Sequence, residues 1–94
     1  MFSHNRYVTV RVSNEVDPIT RFFMWTCIDM LAVEADYLQV FELVTALEGQ
    51  KIVHTQEQPP YCKEYLIPCN KPISAKIFVI DDGTYATMLF AEEY

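Results

Sequence analysis

The sequence predicts a single α+β domain of two layers, a mainly antiparallel β-sheet packed against one helix, and three observations carry that expectation. First, Asp81-Asp82-Gly83 separates two apolar runs, Ala75–Ile80 and Thr84–Phe90. Asp-Gly between β-branched and aromatic runs predicts a hairpin, because a type I′ turn needs positive φ at both central residues. Second, Asp17-Pro18 opens an apolar stretch with helical spacing. Third, residues 36–67 alternate with a period of two and are interrupted by turn residues, which predicts a strand meander. The element order is then β-α-β-β-β-β-β.

The first strand is read at Tyr7–Val12, where Val8, Val10 and Val12 share one face and Thr9 and Arg11 the other. Asp17 is the N-cap of the helix and Pro18 its first residue, where the missing N–H costs nothing. Ile19, Phe22, Phe23, Cys27, Met30 and Leu31 recur at helical spacing and are expected to face the core, with the helix fading near Val33. Met24, Trp25 and Ile28 then fall partly outside that stripe. Asp36–Ala46 forms a strand, and Leu47-Glu48-Gly49-Gln50 turns it into Lys51–Glu57. Polar residues on both sides of Lys51–Glu57 suggest an edge or solvent-facing strand. Pro59-Pro60 ends it, since proline cannot donate to the ladder. Tyr61–Ile67 is the next strand, and Pro68–Pro72 leads to the final hairpin.

Ninety-four residues make one domain, 1–94, with enough chain for one core. Charged residues make up 21% and apolar residues 51%, which excludes an intrinsically disordered chain. No apolar run is long enough to cross a bilayer as a helix, and the N-terminus lacks a signal-peptide pattern, so a cytoplasmic location is expected. The net charge of −6 disfavours direct binding to nucleic acid or anionic membrane and favours attraction to basic partners.

Candidate chemistry is sparse. Two glycines cannot build a phosphate-binding loop, and no serine sits in a nucleophile elbow. Asp81 and Asp82, in the expected turn, and Glu92 and Glu93, near the end of the sequence, are paired carboxylates. Exposed positions lack the cleft that acid–base catalysis needs, so they read as an acidic rim. Three cysteines without a secretion signal argue against a disulfide framework. Cys27 reads as a buried hydrophobe. His54, Cys62 and Cys69 have the ligand chemistry for one structural zinc, with no CxxC knuckle and no evident fourth ligand. Trp25 and Met24 are candidate anchors for a protein partner, because Trp and Met are enriched at interfaces.

DYLQVFEL (36–43), GQKIVHTQEQPPYCKEY (49–65) and AKIFVIDDGTYATMLFAEEY (75–94) resemble an uncharacterised family of small Firmicutes and phage proteins. It is a domain of unknown function first described from staphylococci. The resemblance extends to Trp25 and Ile28-Asp29, and Cys62 and Cys69 depart from the family's pattern. It implies a setting in Gram-positive genomes, mobile elements and prophages, and no catalytic residues. From that setting and the acidic charge we expect a non-enzymatic inhibitor of a host nucleic-acid-processing defence protein. The model for it is an anti-CRISPR protein that blocks DNA loading of an RNA-guided nuclease. Asp81, Asp82, Glu92 and Glu93 would steer it, and Trp25 and Met24 would anchor it. The alternatives are a small zinc-binding structural protein and a housekeeping homo-oligomer using the Trp25 patch or an open sheet edge. The expected partner is a protein such as a CRISPR effector nuclease, with the chain itself a monomer or homodimer.

Overall fold

Backbone pairing builds one six-stranded sheet in the computed structural model, which describes residues 1–94. The strands are β1 (Asn5–Val8), β2 (Leu38–Ala46), β3 (Gly49–Gln56), β4 (Tyr61–Ile67), β5 (Ala75–Asp81) and β6 (Tyr85–Phe90). Two helices, α1 (Val10–Glu15) and α2 (Pro18–Asp29), fall between β1 and β2, and a short 3-10 turn (Ala91–Glu93) follows β6. The strand order is β1-β6-β5-β2-β3-β4. Every pairing is antiparallel except β1 with β6, which is parallel. The fold class is therefore the α+β architecture that the sequence predicts.

The inner face of the sheet carries Phe41, Leu43, Ile52, Ile77, Val79, Ala86, Met88 and Phe90. Val12 and Val16 from the α1 region, Met24, Cys27 and Ile28 from α2, and Phe2 from the N-terminus cover it. Period-two alternation places each of these strand residues on one side of the pleat.

Three local expectations are corrected. The strand expected at Tyr7–Val12 stops at Val8, and the chain turns into α1. Thr9 decides the switch: its N–H still donates to Met88 O at 3.1 Å, while its hydroxyl accepts from Val12 N–H at 3.2 Å as a helix N-cap. Val10 then points to solvent and Val12 into the core. Second, β3 is an interior strand, and β4 is the edge. Gln50, His54 and Gln56 are polar but buried on β3, each with hydrogen-bond partners inside the fold. Third, Asp81 belongs to β5 and only Gly83 of the turn has positive φ, so the turn is not type I′. Asp82 stabilises it instead, accepting from Thr84 N–H at 2.8 Å and Tyr85 N–H at 3.0 Å.

Gly49 closes the β2–β3 turn where a side chain would not fit. Its φ is +148°, and a Cβ there would lie 2.2 Å from Ile67 O on β4. The turn and the edge strand thus meet through bare backbone.

Candidate functional site

The start of α2 follows the sequence: Asp17 Oδ1 accepts Ile19 N–H at 2.9 Å and Pro18 takes the first turn. Its rotation does not. Thr20, Met24, Cys27 and Ile28 face the sheet, and Phe23 packs partly against the core. Met24 is 0% exposed and is no surface anchor. Trp25 is half-buried, with the Arg6 guanidinium 4.9 Å from the centre of its ring. Arg6 also pairs with Asp29 and donates to Phe2 O, so this side of the helix is engaged with the N-terminal segment. The helix ends at Asp29 and not near Val33.

Three residues expected in the core lie outside it. Ile19, Phe22 and Met30 are 68%, 73% and 75% exposed. With Thr26 between Phe22 and Met30 they form one row along the solvent side of α2, at spacings that follow the helical repeat. Both rows of the helix are apolar, so helical spacing by itself fits either rotation. An apolar row on the wet side of a helix is the kind of surface a partner buries.

The four acidic residues of the expected rim separate into different environments. Asp81 is buried. Its Oδ2 accepts Phe2 N–H at 2.6 Å, its Oδ1 accepts Gly83 N–H at 2.8 Å, and His4 Nε2 lies 3.6 Å away. Burial works to raise its pKa, but the two N–H donors and the positive charges of His4 and the N-terminus outweigh it and hold the carboxyl below the usual range. Asp81 is therefore a structural acceptor that no partner reaches. Asp82 is exposed, and its carboxyl is held down by the N–H groups of Tyr85 and Thr84. Glu92 is exposed and pairs with Arg11 at 2.5 Å. Glu93 Oε1 accepts from Phe90 N–H at 2.8 Å and Thr9 hydroxyl at 2.9 Å, tying the 3-10 turn to the start of α1.

His54, Cys62 and Cys69 do not converge. Cys62 stands opposite Thr55 and Lys63 opposite His54 in the β3–β4 register, so the His54 and Cys62 side chains project from opposite faces. Cys62 is exposed, whereas Cys69 Sγ is 3.8 Å from the Thr20 hydroxyl under α2. This set does not make the zinc site considered from sequence, and the alternation of β3 and β4 is the reason.

His54 belongs to a buried polar relay that the sequence does not signal. Its Nε2 is 2.6 Å from Gln39 Oε1. Gln39 Nε2 donates to Gln56 Oε1 at 2.6 Å and Asp36 O at 2.9 Å. Gln56 Nε2 donates to Glu34 O and Pro59 O, both at 2.9 Å. Because Gln39 spends its amide hydrogens on Gln56 and Asp36, its oxygen faces His54, and the histidine proton sits on Nε2. The bare Nδ1 has no hydrogen-bond partner. The ring stacks on Phe41 at 4.3 Å and meets Tyr61 edge-on at 5.3 Å. Burial pushes its pKa down to about 4, so it is neutral near pH 7. The only sequence signal for this relay was the excess of polar residues on β3.

An open cleft of about 370 Å³ lies at the end of the sheet beside this relay, lined by Asp36, Tyr37, Val40, Thr55, Glu57 and Gln58 among others. Its Asp36 carboxylate already accepts from Tyr37 N–H and Gln58 N–H. No helix of the protein is long and apolar enough to cross a membrane.

The fold and these surfaces define a small acidic α+β domain with a one-sided helical layer. The chain belongs to a family described as staphylococcal protein of unknown function (DUF960), whose pattern matches residues 5–93. Its fold is that of a protein of unknown function from Enterococcus faecalis solved by crystallography, with a TM-score of 0.84 and 22% sequence identity over 97% of this chain and 91% of that one. At that identity the likeness concerns the fold. No curated protein matches the sequence.

Proposed function

We propose that this protein is a non-enzymatic binding module that engages a protein partner through the outer row of α2. The observation that carries this reading is the exposure of Ile19, Phe22 and Met30 in a single row. An exposed phenylalanine costs solubility and returns nothing to the core, whereas a partner's surface would desolvate it. The net charge of −6 favours a partner with a basic surface.

The narrower reading is an inhibitor, encoded by a phage or mobile element and acting in the cytoplasm, of a nucleic-acid-processing defence protein such as an RNA-guided nuclease. An acidic domain fits a basic nucleic-acid channel by charge. Asp82 and Glu93 remain as exposed steering charges without a cationic partner, Glu92 being paired with Arg11, and Phe22 replaces Met24 as the anchor.

Surface-immobilised kinetics against a CRISPR nuclease, with and without target DNA, test both levels. Association should slow as salt rises, and DNA should compete. Phe22→Ser should speed dissociation. Absence of binding sinks the narrower reading, and binding unaffected by Phe22→Ser removes the α2 row as its surface.

A further inference from the structure

The helices cover one face of the sheet, and the other face is apolar as well. In an antiparallel sheet with one wet face, the outward positions are normally polar. Here the outward row of β5 is Lys76, Phe78 and Ile80, and that of β2 is Leu38, Val40, Glu42 and Val44. The register sets Val40 beside Phe78 and Leu38 beside Ile80. Phe78 in turn neighbours Leu89, and Ile80 neighbours Thr87, on β6. Val53 and Thr55 extend the patch onto β3. Tyr7 and Tyr85 meet edge-on at 5.4 Å on one border, and both are exposed. Tyr94 approaches Phe78 edge-on at 5.9 Å on the same side. Ile77-Phe78-Val79-Ile80 is apolar on both faces, which is the pattern of a strand buried on both.

We infer that this uncovered sheet face packs against the same face of a second copy of the chain. Charge selects that occupant. The chain carries a net charge of −6, yet this face holds two acids and two bases. Glu42 stands beside Lys76, and Lys51 pairs with Glu64 at 3.2 Å. The face carries no net charge, so a copy of itself meets no net repulsion there, and a basic partner finds no acidic field to enter. Size is adequate too. Six strands at about 4.8 Å spacing, running about 20–30 Å, give a patch on the scale of the ~800 Å² that each partner brings to a stable interface. Two such faces stack about 10 Å apart, as in aligned sheet packing, with two-fold symmetry bringing each Phe78–Val40 pair against its equivalent. This surface is separate from the α2 row and does not depend on its role.

Sedimentation equilibrium of the purified protein should give twice the 11.0 kDa chain mass. Val40→Arg and Thr87→Arg place a charge on the face and should each weaken the dimer by ~30-fold or more. Hydroxyl-radical footprinting of the wild-type protein across a concentration series keeps the test independent of how those variants fold. Phe78 and Tyr85 should become protected as concentration rises, while Phe22 stays reactive. A dimer that protects Phe22 and leaves Phe78 reactive overturns the inference in favour of the helix. A monomer with Phe78 and Tyr85 reactive at every concentration overturns it as well, and leaves the face to a different protein.

Discussion

The Asp81 carboxylate accepts the backbone N–H of Phe2 at 2.6 Å, a buried hydrogen bond between residues 79 positions apart. It pins the N-terminus to the end of β5. Phe2 has φ +66°, a left-handed backbone that bulky residues avoid, and its ring lies in the core. The buried ring and the Asp81 bond together hold that conformation.

Asp81→Ala should therefore destabilise the fold by about 2 kcal/mol, because it leaves the Phe2 N–H buried without an acceptor. Hydrogen exchange at Phe2 and along β1 should rise more than exchange in β2 and β3. Chemical denaturation checks the first statement and exchange the second. An unchanged midpoint would remove Asp81 from this role.

His54 predicts how stability depends on pH. Its folded pKa is about 4, below the ordinary 6.5, so between those values the unfolded chain holds a proton that the folded one does not. Stability is then full above pH 6.5 and falls as pH drops toward 4, by roughly 3 kcal/mol in all. Asp81, with its pKa held below 3.8, adds a further loss at lower pH. His54→Phe should flatten the first window and spare the second. Denaturation midpoints measured from pH 8 to pH 3 separate the two.

The two glycines should respond differently to alanine. Gly83 has open space around its missing Cβ but φ +96°, so Gly83→Ala should cost about 1–2 kcal/mol from backbone strain. Gly49→Ala combines φ +148° with a clash against Ile67 O and should cost about 3 kcal/mol or more. Thermal denaturation of both variants ranks them.

Met24 and Phe22 are two positions apart on α2 and should behave oppositely. Met24→Ala opens the core and should cost about 2–5 kcal/mol. Phe22→Ala removes an exposed ring and should change stability by no more than about 0.5 kcal/mol. Equal losses at the two sites would mean that α2 is rotated relative to the arrangement described above.

Local chemistry made several elements legible from the residues. Asp17-Pro18 marks the start of α2 locally, because the carboxylate caps and the proline needs no donor. The β2–β3 and β5–β6 hairpins follow from period-two runs around Gly49 and Gly83. Other features rest on forces that no local window contains. Thr9 serves strand and helix alike, its N–H continuing the pairing with β6 while its hydroxyl caps α1, and the distant β6 lies outside any local window. Gln50, His54 and Gln56 look like surface residues until their distant partners are in place.

The sequence by itself determined the class of the domain, the α2 cap, the hairpins and the family, because each depends on residues close together or on pattern along the chain. The tertiary structure alone decided which face of α2 is buried, that Asp81 is an internal acceptor, and that His54 and Cys62 point apart. A helix with two competing apolar rows has no preferred rotation until a sheet packs against it. A carboxylate has no role until the chain's far end supplies an N–H, and two ligands have no distance until register assigns their faces.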